Sequence, residues 1–208
     1  MLMVISVALM ITPGTYHRIV EGGRDSGAFH KVTSVIADLS LLPFALAPDL
    51  YKGRLTTVPD EANHLMSGLD FPDATHQDLR GAAQHLKSSS GKVAVMGFCM
   101  GGALTIAAAV HVPEAAAAVC FYGIPPKEFA DPARLKIPFQ GHFANQDDWC
   151  TPAAVDELEK ALKSAAATYE IYRYDAAHAF FNERSPAYDL ASANQAWDRM
   201  LGFLEKRL

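Results

Sequence analysis

Lys92-Val93-Ala94-Val95-Met96-Gly97-Phe98-Cys99-Met100-Gly101-Gly102-Ala103-Leu104-Thr105-Ile106-Ala107-Ala108-Ala109-Val110 decides how the rest of the chain is read. Its first six residues are a short apolar run of strand type. ALTIAAAV reads as the body of a helix that starts near Gly101, with Pro113 beyond its end. The junction, GFCMGG, has the form of a nucleophile elbow. Such a turn strains the backbone of its central residue, and small residues two before and two after it let strand and helix approach closely. The central side chain stands clear of the sheet, and the helix N-terminus behind it favours developing negative charge. An arbitrary free cysteine is a small buried hydrophobe. At the centre of GxCxGG, between strand and helix, Cys99 is instead the candidate nucleophile.

Outward from this junction, strand-like runs alternate with helical patterns. Residues 2–11 and 17–21 read as strands separated by Thr12-Pro13-Gly14-Thr15, and residues 28–42 as a helix. Phe44-Ala45-Leu46-Ala47 is a short strand stopped by Pro48, and 73–88 is a helix ending in a polar SSSGK segment. Strands follow at 116–123, 137–143 and 168–174. Thr151-Pro152 caps a helix that runs to about Lys163, with Thr at the N-cap and Pro at the first helical position. An amphipathic helix over 186–206 closes the chain. This alternation is the mark of βαβ units, so the expected fold is α/β, with a mostly parallel central sheet and helices on both faces. Nothing in the sequence reads as a repeat or linker, and residues 1–208 are expected to form a single domain.

Composition agrees and excludes some functions. Half of the 208 residues are apolar and 20% are charged, enough to fill a core on both faces of a sheet. A net charge of −5 with no basic run speaks against a nucleic-acid partner. Cys99, Cys120 and Cys150 show no CxxC spacing, so neither a disulfide framework nor a zinc knuckle is expected, and free thiols suit a reducing cytoplasm. MLMVISVALMI has no Lys or Arg before Arg18 and no small-residue cleavage site after it. It reads as a buried strand, too short for a membrane span. His17, His30, His64, His76 and His85 form no HxH or HExxH spacing, so no metal site is expected.

A thiol nucleophile needs a base, and the base an orienting group. In the elbow-bearing fold the order is nucleophile, acid, histidine. His111 lies near the end of the elbow helix, and His142 sits inside the QGHF strand, where packing is its expected role. His178 follows the last strand, in Asp175-Ala176-Ala177-His178-Ala179-Phe180, and is the expected base. The acid should follow the preceding strand, in Asn145-Gln146-Asp147-Asp148-Trp149. Adjacent carboxylates on an extended segment point in different directions, so one of the two reaches His178. Spacing alone does not choose between Asp147 and Asp148.

Together LAPDLYKGR (46–54), GFCMGG (97–102), GHFANQDDW (141–149) and YDAAHAFFNERSPAYD (174–189) resemble the dienelactone hydrolase family, a cysteine-nucleophile branch of the α/β-hydrolases. The resemblance runs from about Glu21 to the C-terminus. It places the acid at Asp147 and implies that Glu21, at the end of an N-terminal strand, controls the thiol. The histidine that usually precedes this glutamate is Val20 here. The oxyanion would be held by the backbone N–H groups of Met100 and of Gly22. Arg54 matches an arginine that holds substrate carboxylates in the family, while the second such arginine appears as Asn182, with Arg184 two residues on. Trp149, Phe180, Phe181 and Tyr122 either line an apolar pocket or belong to the core. Only 20 residues precede Glu21, so the N-terminal edge of the sheet is expected to be shortened, and both a monomer and a homodimer stay open.

The expected activity is hydrolysis of a small carboxylic ester or lactone through a thioester acyl-enzyme, with no metal or organic cofactor and no membrane or nucleic-acid partner. A broad carboxylesterase, thioesterase or phosphotriester hydrolase on the same three residues is the alternative. A non-catalytic binding module on this scaffold would usually have lost one of the three, and a redox protein would want a resolving cysteine near Cys99.

Overall fold

The computed structural model describes residues 7–11, 44–54, 56 and 58–208. Strands β1 (Val7–Ile11), β2 (Phe44–Leu46), β3 (Val93–Phe98), β4 (Ala115–Phe121), β5 (Phe139–Gln146) and β6 (Tyr169–Ala177) form one sheet. Their order is β2-β1-β3-β4-β5-β6. β3, β4, β5 and β6 run parallel, and β1 is antiparallel to both β2 and β3. The expected mostly parallel α/β sheet is present. The expected strand at 17–21 and helix at 28–42 lie outside the described residues.

Both faces of the sheet are covered, and the strands show it by alternation. Ala94, Met96 and Phe98 of β3 join Ala117, Val119 and Phe121 of β4 in a core shared with the closing helix residues Ala196, Met200, Phe203 and Leu204. Val93 and Val95 face the opposite way, into a core with Leu79, Ala83, Leu86 and Leu104. Ala118 and Cys120 of β4 share that side with Ile106, Val155, Leu158 and Leu162. The helices are α1 (Pro59–Ser67), α2 (Phe71–Asp73), α3 (Arg80–Ser90), α4 (Met100–His111), α5 (Pro152–Lys163) and α6 (Leu190–Arg207). A π-helical stretch, Ala74–Leu79, joins α2 to α3, so the helix expected over 73–88 is longer and irregular in its first half. α4 is buried from Met100 to Ala109, which explains why its sequence has no polar face. Thr151 caps α5 as expected, accepting the N–H of Ala154 at 3.2 Å, with Pro152 at its first position.

Candidate active site

Each of the four parallel strands stops one residue short of a side chain of the site. β3 ends at Phe98 and Cys99 follows; β4 ends at Phe121 and Tyr122 follows. β5 ends at Gln146 before Asp147, and β6 at Ala177 before His178. The carboxyl ends of parallel strands lie along one edge of the sheet, where ligands bind in open α/β folds.

The elbow is built as its sequence requires. Cys99 has φ 56 and ψ −121 and caps α4. Its N–H donates to the Phe121 carbonyl at 3.0 Å, and its own carbonyl accepts from Ala103 at 3.1 Å. At Gly97 a Cβ would lie 2.2 Å from the carbonyl oxygen of Gly101, and at Gly123 a Cβ would lie 2.1 Å from that of Cys99. Only glycine allows backbones to meet so closely. The Cys99 thiol thus sits against the first turn of α4, where Met100 and its neighbours have N–H groups without intrahelical acceptors.

A continuous path of hydrogen-bonding atoms links the three strand-end residues. His178 Nε2 lies 3.2 Å from Cys99 Sγ, and His178 Nδ1 lies 2.8 Å from Asp147 Oδ2. The second carboxylate oxygen of Asp147 accepts the N–H groups of Trp149 and Cys150 at 2.8 and 2.9 Å. Asp147, the aspartate of the pair that meets His178, is buried, with 3% exposure, whereas Asp148 is exposed. Burial works against the Asp147 carboxylate, but the bonds from His178, Trp149 and Cys150 outweigh it and hold its pKa below the usual value. Burial likewise works against a charged His178. Its bonds to Asp147 and Cys99 outweigh that cost and raise its pKa from 6.5 to about 9. The arrangement favours an imidazolium held between a carboxylate and a sulfur that can carry negative charge.

Around this path the backbone is strained. The described non-glycine residues with positive φ are Lys52, Cys99, Tyr122 and Ala179, at 55°, 56°, 39° and 64°. One is the elbow cysteine, one follows His178, and Tyr122 packs its ring edge-on to His178 with centroids 5.0 Å apart. Lys52 follows Tyr51, whose phenol is raised to about 12 by burial and by the charge of Cys99. Such strain gathers where a fold over-determines side-chain positions. Tyr51 was not singled out from the sequence, although it lies in the LAPDLYKGR stretch. Its half-buried ring packs on the core that contains Met100, and its hydroxyl stays protonated. The other two thiols are held protonated by burial: Cys150 is raised to about 12, and Cys120 is raised as well.

Trp149 lies at the site, its indole 5.5 Å from the His178 ring and 60% exposed. Phe180, weighed as a pocket residue, is fully buried: the turn at Ala179 drives its ring between Tyr122 and Tyr174, at 5.5 and 4.9 Å. It supports the site from the core side and does not line a pocket. Phe181 is half-buried against Phe98 and Phe121. The side chain of Arg54 is exposed, and its backbone N–H closes a turn onto Tyr51. Glu21 and Gly22 lie outside the described residues. His142 is fully buried, with Tyr174 Oη at 2.8 Å and Gln140 Oε1 at 2.9 Å, and burial lowers its pKa to about 3. His111 ends α4, its Nε2 2.8 Å from the Phe129 carbonyl. Among the described residues no group of three or more His, Cys, Asp or Glu is placed to hold a metal, and no helix is long and apolar enough to cross a membrane.

A parallel sheet with an elbow at one strand end and an acid and a histidine at two others defines an α/β-hydrolase-type fold. Residues 29–208 match the model of the dienelactone hydrolase family, and the chain belongs to that family. It is 34% identical over 173 residues to the Escherichia coli K12 "Putative carboxymethylenebutenolidase", covering 78% of this chain and 60% of that one. It is 31% identical to "Protein usf" of Aquifex pyrophilus, over 79% of this chain and 75% of that one. The chain spans about three-fifths of the length of several curated relatives it matches. Among solved structures it is similar to a "Putative Dienelactone Hydrolase" from Klebsiella pneumoniae, with TM-score 0.73 and 25% identity over 85% of this chain and 80% of that one. Esterase 2 of Thermogutta terrifontis shares the fold, with TM-score 0.61 and 20% identity over 89% of this chain and 79% of that one.

Proposed function

We propose that this chain hydrolyses small carboxylic esters or lactones of the dienelactone kind, with Cys99 as nucleophile, His178 as proton carrier and Asp147 as its orienting acid. The observation that carries the reading is the path Asp147–His178–Cys99, at 2.8 and 3.2 Å, on the sheet edge where a family hydrolase would act. The Cys99 sulfur attacks the carbonyl carbon while the carbonyl π pair moves to oxygen. The N–H of Met100 faces that oxyanion, and Gly22 would supply a second donor by its likeness to the family. Collapse breaks the acyl C–O bond, and His178 Nε2 gives its proton to the departing alkoxide. Neutral His178 then takes a proton from water, whose oxygen attacks the thioester. A second collapse releases the carboxylic acid and regenerates the sulfur–imidazolium pair. Water balances the reaction, and no step calls for a metal or organic cofactor.

Glu21 is proposed to restrain the thiol in the resting state, on its likeness to the family's glutamate. Residues 1–208 are read as one domain, and three cysteines outside any disulfide suit a reducing cytoplasm. A broader carboxylesterase or thioesterase is the second reading, favoured by Asn182 where the family places a carboxylate-binding arginine and by the exposed position of Arg54. The test is a panel of p-nitrophenyl acetate, p-nitrophenyl butyrate, cis-dienelactone and trans-dienelactone, each with wild type and Cys99→Ala. Turnover that disappears in the variant supports the reading, and the preferred substrate separates lactonase from esterase. Equal activity in both proteins, or none in either, overturns it.

A further inference from the structure

We infer that Trp149 is a specificity-determining residue that receives the alcohol half of the ester, and that the preferred alcohol is flat, aromatic and uncharged. The inference rests on the hydrolase reading above and adds the substrate class. Three large hydrophobic side chains are exposed among the described residues: Val58, Trp149 and Leu190. Single exposed apolar residues are ordinary, but Trp149 packs against the proton carrier itself. Its backbone N–H is fixed to the Asp147 carboxylate at 2.8 Å, so the turn that orients His178 also sets the indole. The indole lies 5.5 Å from the imidazole at an interplanar angle of 34°. His178 also meets the edge of Tyr122, which is buried, so of these two aromatic neighbours Trp149 is the one exposed to an incoming ligand.

The chemistry decides which half of the substrate meets this surface. In the acylation step the C–O bond breaks, its electron pair stays on the alkoxide oxygen, and that oxygen takes the proton from His178 Nε2. The oxygen must therefore lie within about 3 Å of Nε2. The carbon bonded to it is held beside the imidazole, and an aromatic ring one bond further reaches the indole. The acyl half stays on the sulfur, 3.2 Å from Nε2, and is not drawn to Trp149 by this requirement. Asp148, exposed and adjacent to Trp149 in the chain, and Asp147, whose carboxylate accepts the Trp149 N–H, disfavour an anionic alcohol.

The test compares kcat/KM for benzyl acetate and propyl acetate, which share the acyl group and release alcohols of similar basicity. Wild type is expected to prefer the benzyl ester by roughly three- to tenfold. Trp149→Ala brings the benzyl-to-propyl ratio close to one, and Trp149→Phe restores most of it. The ratio for ethyl phenylacetate over ethyl butyrate, which varies the acyl half, is expected to be the same in wild type and Trp149→Ala. A benzyl-to-propyl ratio untouched by Trp149→Ala overturns the assignment, as does a change confined to the acyl series. Benzyl alcohol is also expected to perturb the tryptophan fluorescence of wild type and not of Trp149→Phe, which retains Trp197. If no ester is turned over, the hydrolase reading fails, while this binding signal still decides whether Trp149 receives a flat alcohol.

Discussion

Asp147→Asn removes one charge from the site and almost no volume. The asparagine oxygen can stay where Oδ1 accepts the N–H groups of Trp149 and Cys150, at 2.8 and 2.9 Å. Its amide nitrogen then occupies the place of Oδ2, 2.8 Å from His178 Nδ1. An amide nitrogen donates, so Nδ1 must become an acceptor and the imidazole proton moves to Nε2. In that tautomer neutral His178 cannot take a proton from the thiol or from water. The charged form suffers as well. Burial lowers the His178 pKa, and the Asp147 and Cys99 interactions raise it to about 9 from 6.5. Asp147 is one of the two partners that hold the imidazolium, so its loss lowers the His178 pKa from that value. The expected result is a kcat/KM lower by roughly 10²- to 10⁴-fold. The midpoint of His178, followed by imidazole NMR, should fall below 9, with the circular dichroism of the fold unchanged. A variant within about threefold of wild type in kcat/KM, with the His178 titration unmoved, refutes the orienting role.

Other consequences are open to direct measurement. Acylation needs the proton on His178, so kcat/KM should fall as pH rises through about 9, and a rate still rising there contradicts the assignment. Gly123→Ala places a Cβ 2.1 Å from the Cys99 carbonyl and 2.3 Å from the Ala103 nitrogen, both backbone atoms. It should lose roughly 1–3 kcal/mol in denaturant titration, with a parallel loss of activity. His142 titrates near 3 in the folded chain and near 6.5 when unfolded, so its neutral form stabilises the fold above pH 6.5. That contribution is lost as pH falls from 6.5 toward 3, and His142→Gln should flatten the acid limb of a stability–pH curve relative to wild type.

The sequence reveals the sheet through its apolar runs and the elbow through its glycines, because both depend on local residue types. Strand ends were harder to read. β5 and β6 continue to Gln146 and Ala177, beyond the expected 143 and 174. Asn145 and Gln146 are polar because β5 leaves the core as it approaches the site, and Asp175 because it alternates outward between the buried Tyr174 and Ala176; polarity of either kind reads as loop. α1 is hard to see in the sequence because PDEANHLMS carries few apolar residues, although Pro59, Asp60 and Glu61 are proper helix-start signals. Asp147 and Asp148 are chemically identical, so spacing does not separate them; the family motif points to the first, and its side chain is the one that meets His178. Tyr51 and Tyr122 illustrate the remaining limit. An aromatic ring on a core face and one against a reactive histidine or sulfur have the same local pattern, and their neighbours come from distant strands.

The central claim is a covalent thioester on Cys99, and acid-quenched intact-mass spectrometry during turnover of p-nitrophenyl butyrate tests it most directly. The account predicts a butyryl group mapped to the peptide holding Cys99, a signal absent in Cys99→Ala and prolonged when His178 is replaced by Ala. Ester turnover with no adduct on Cys99, or with the adduct on another residue, contradicts it.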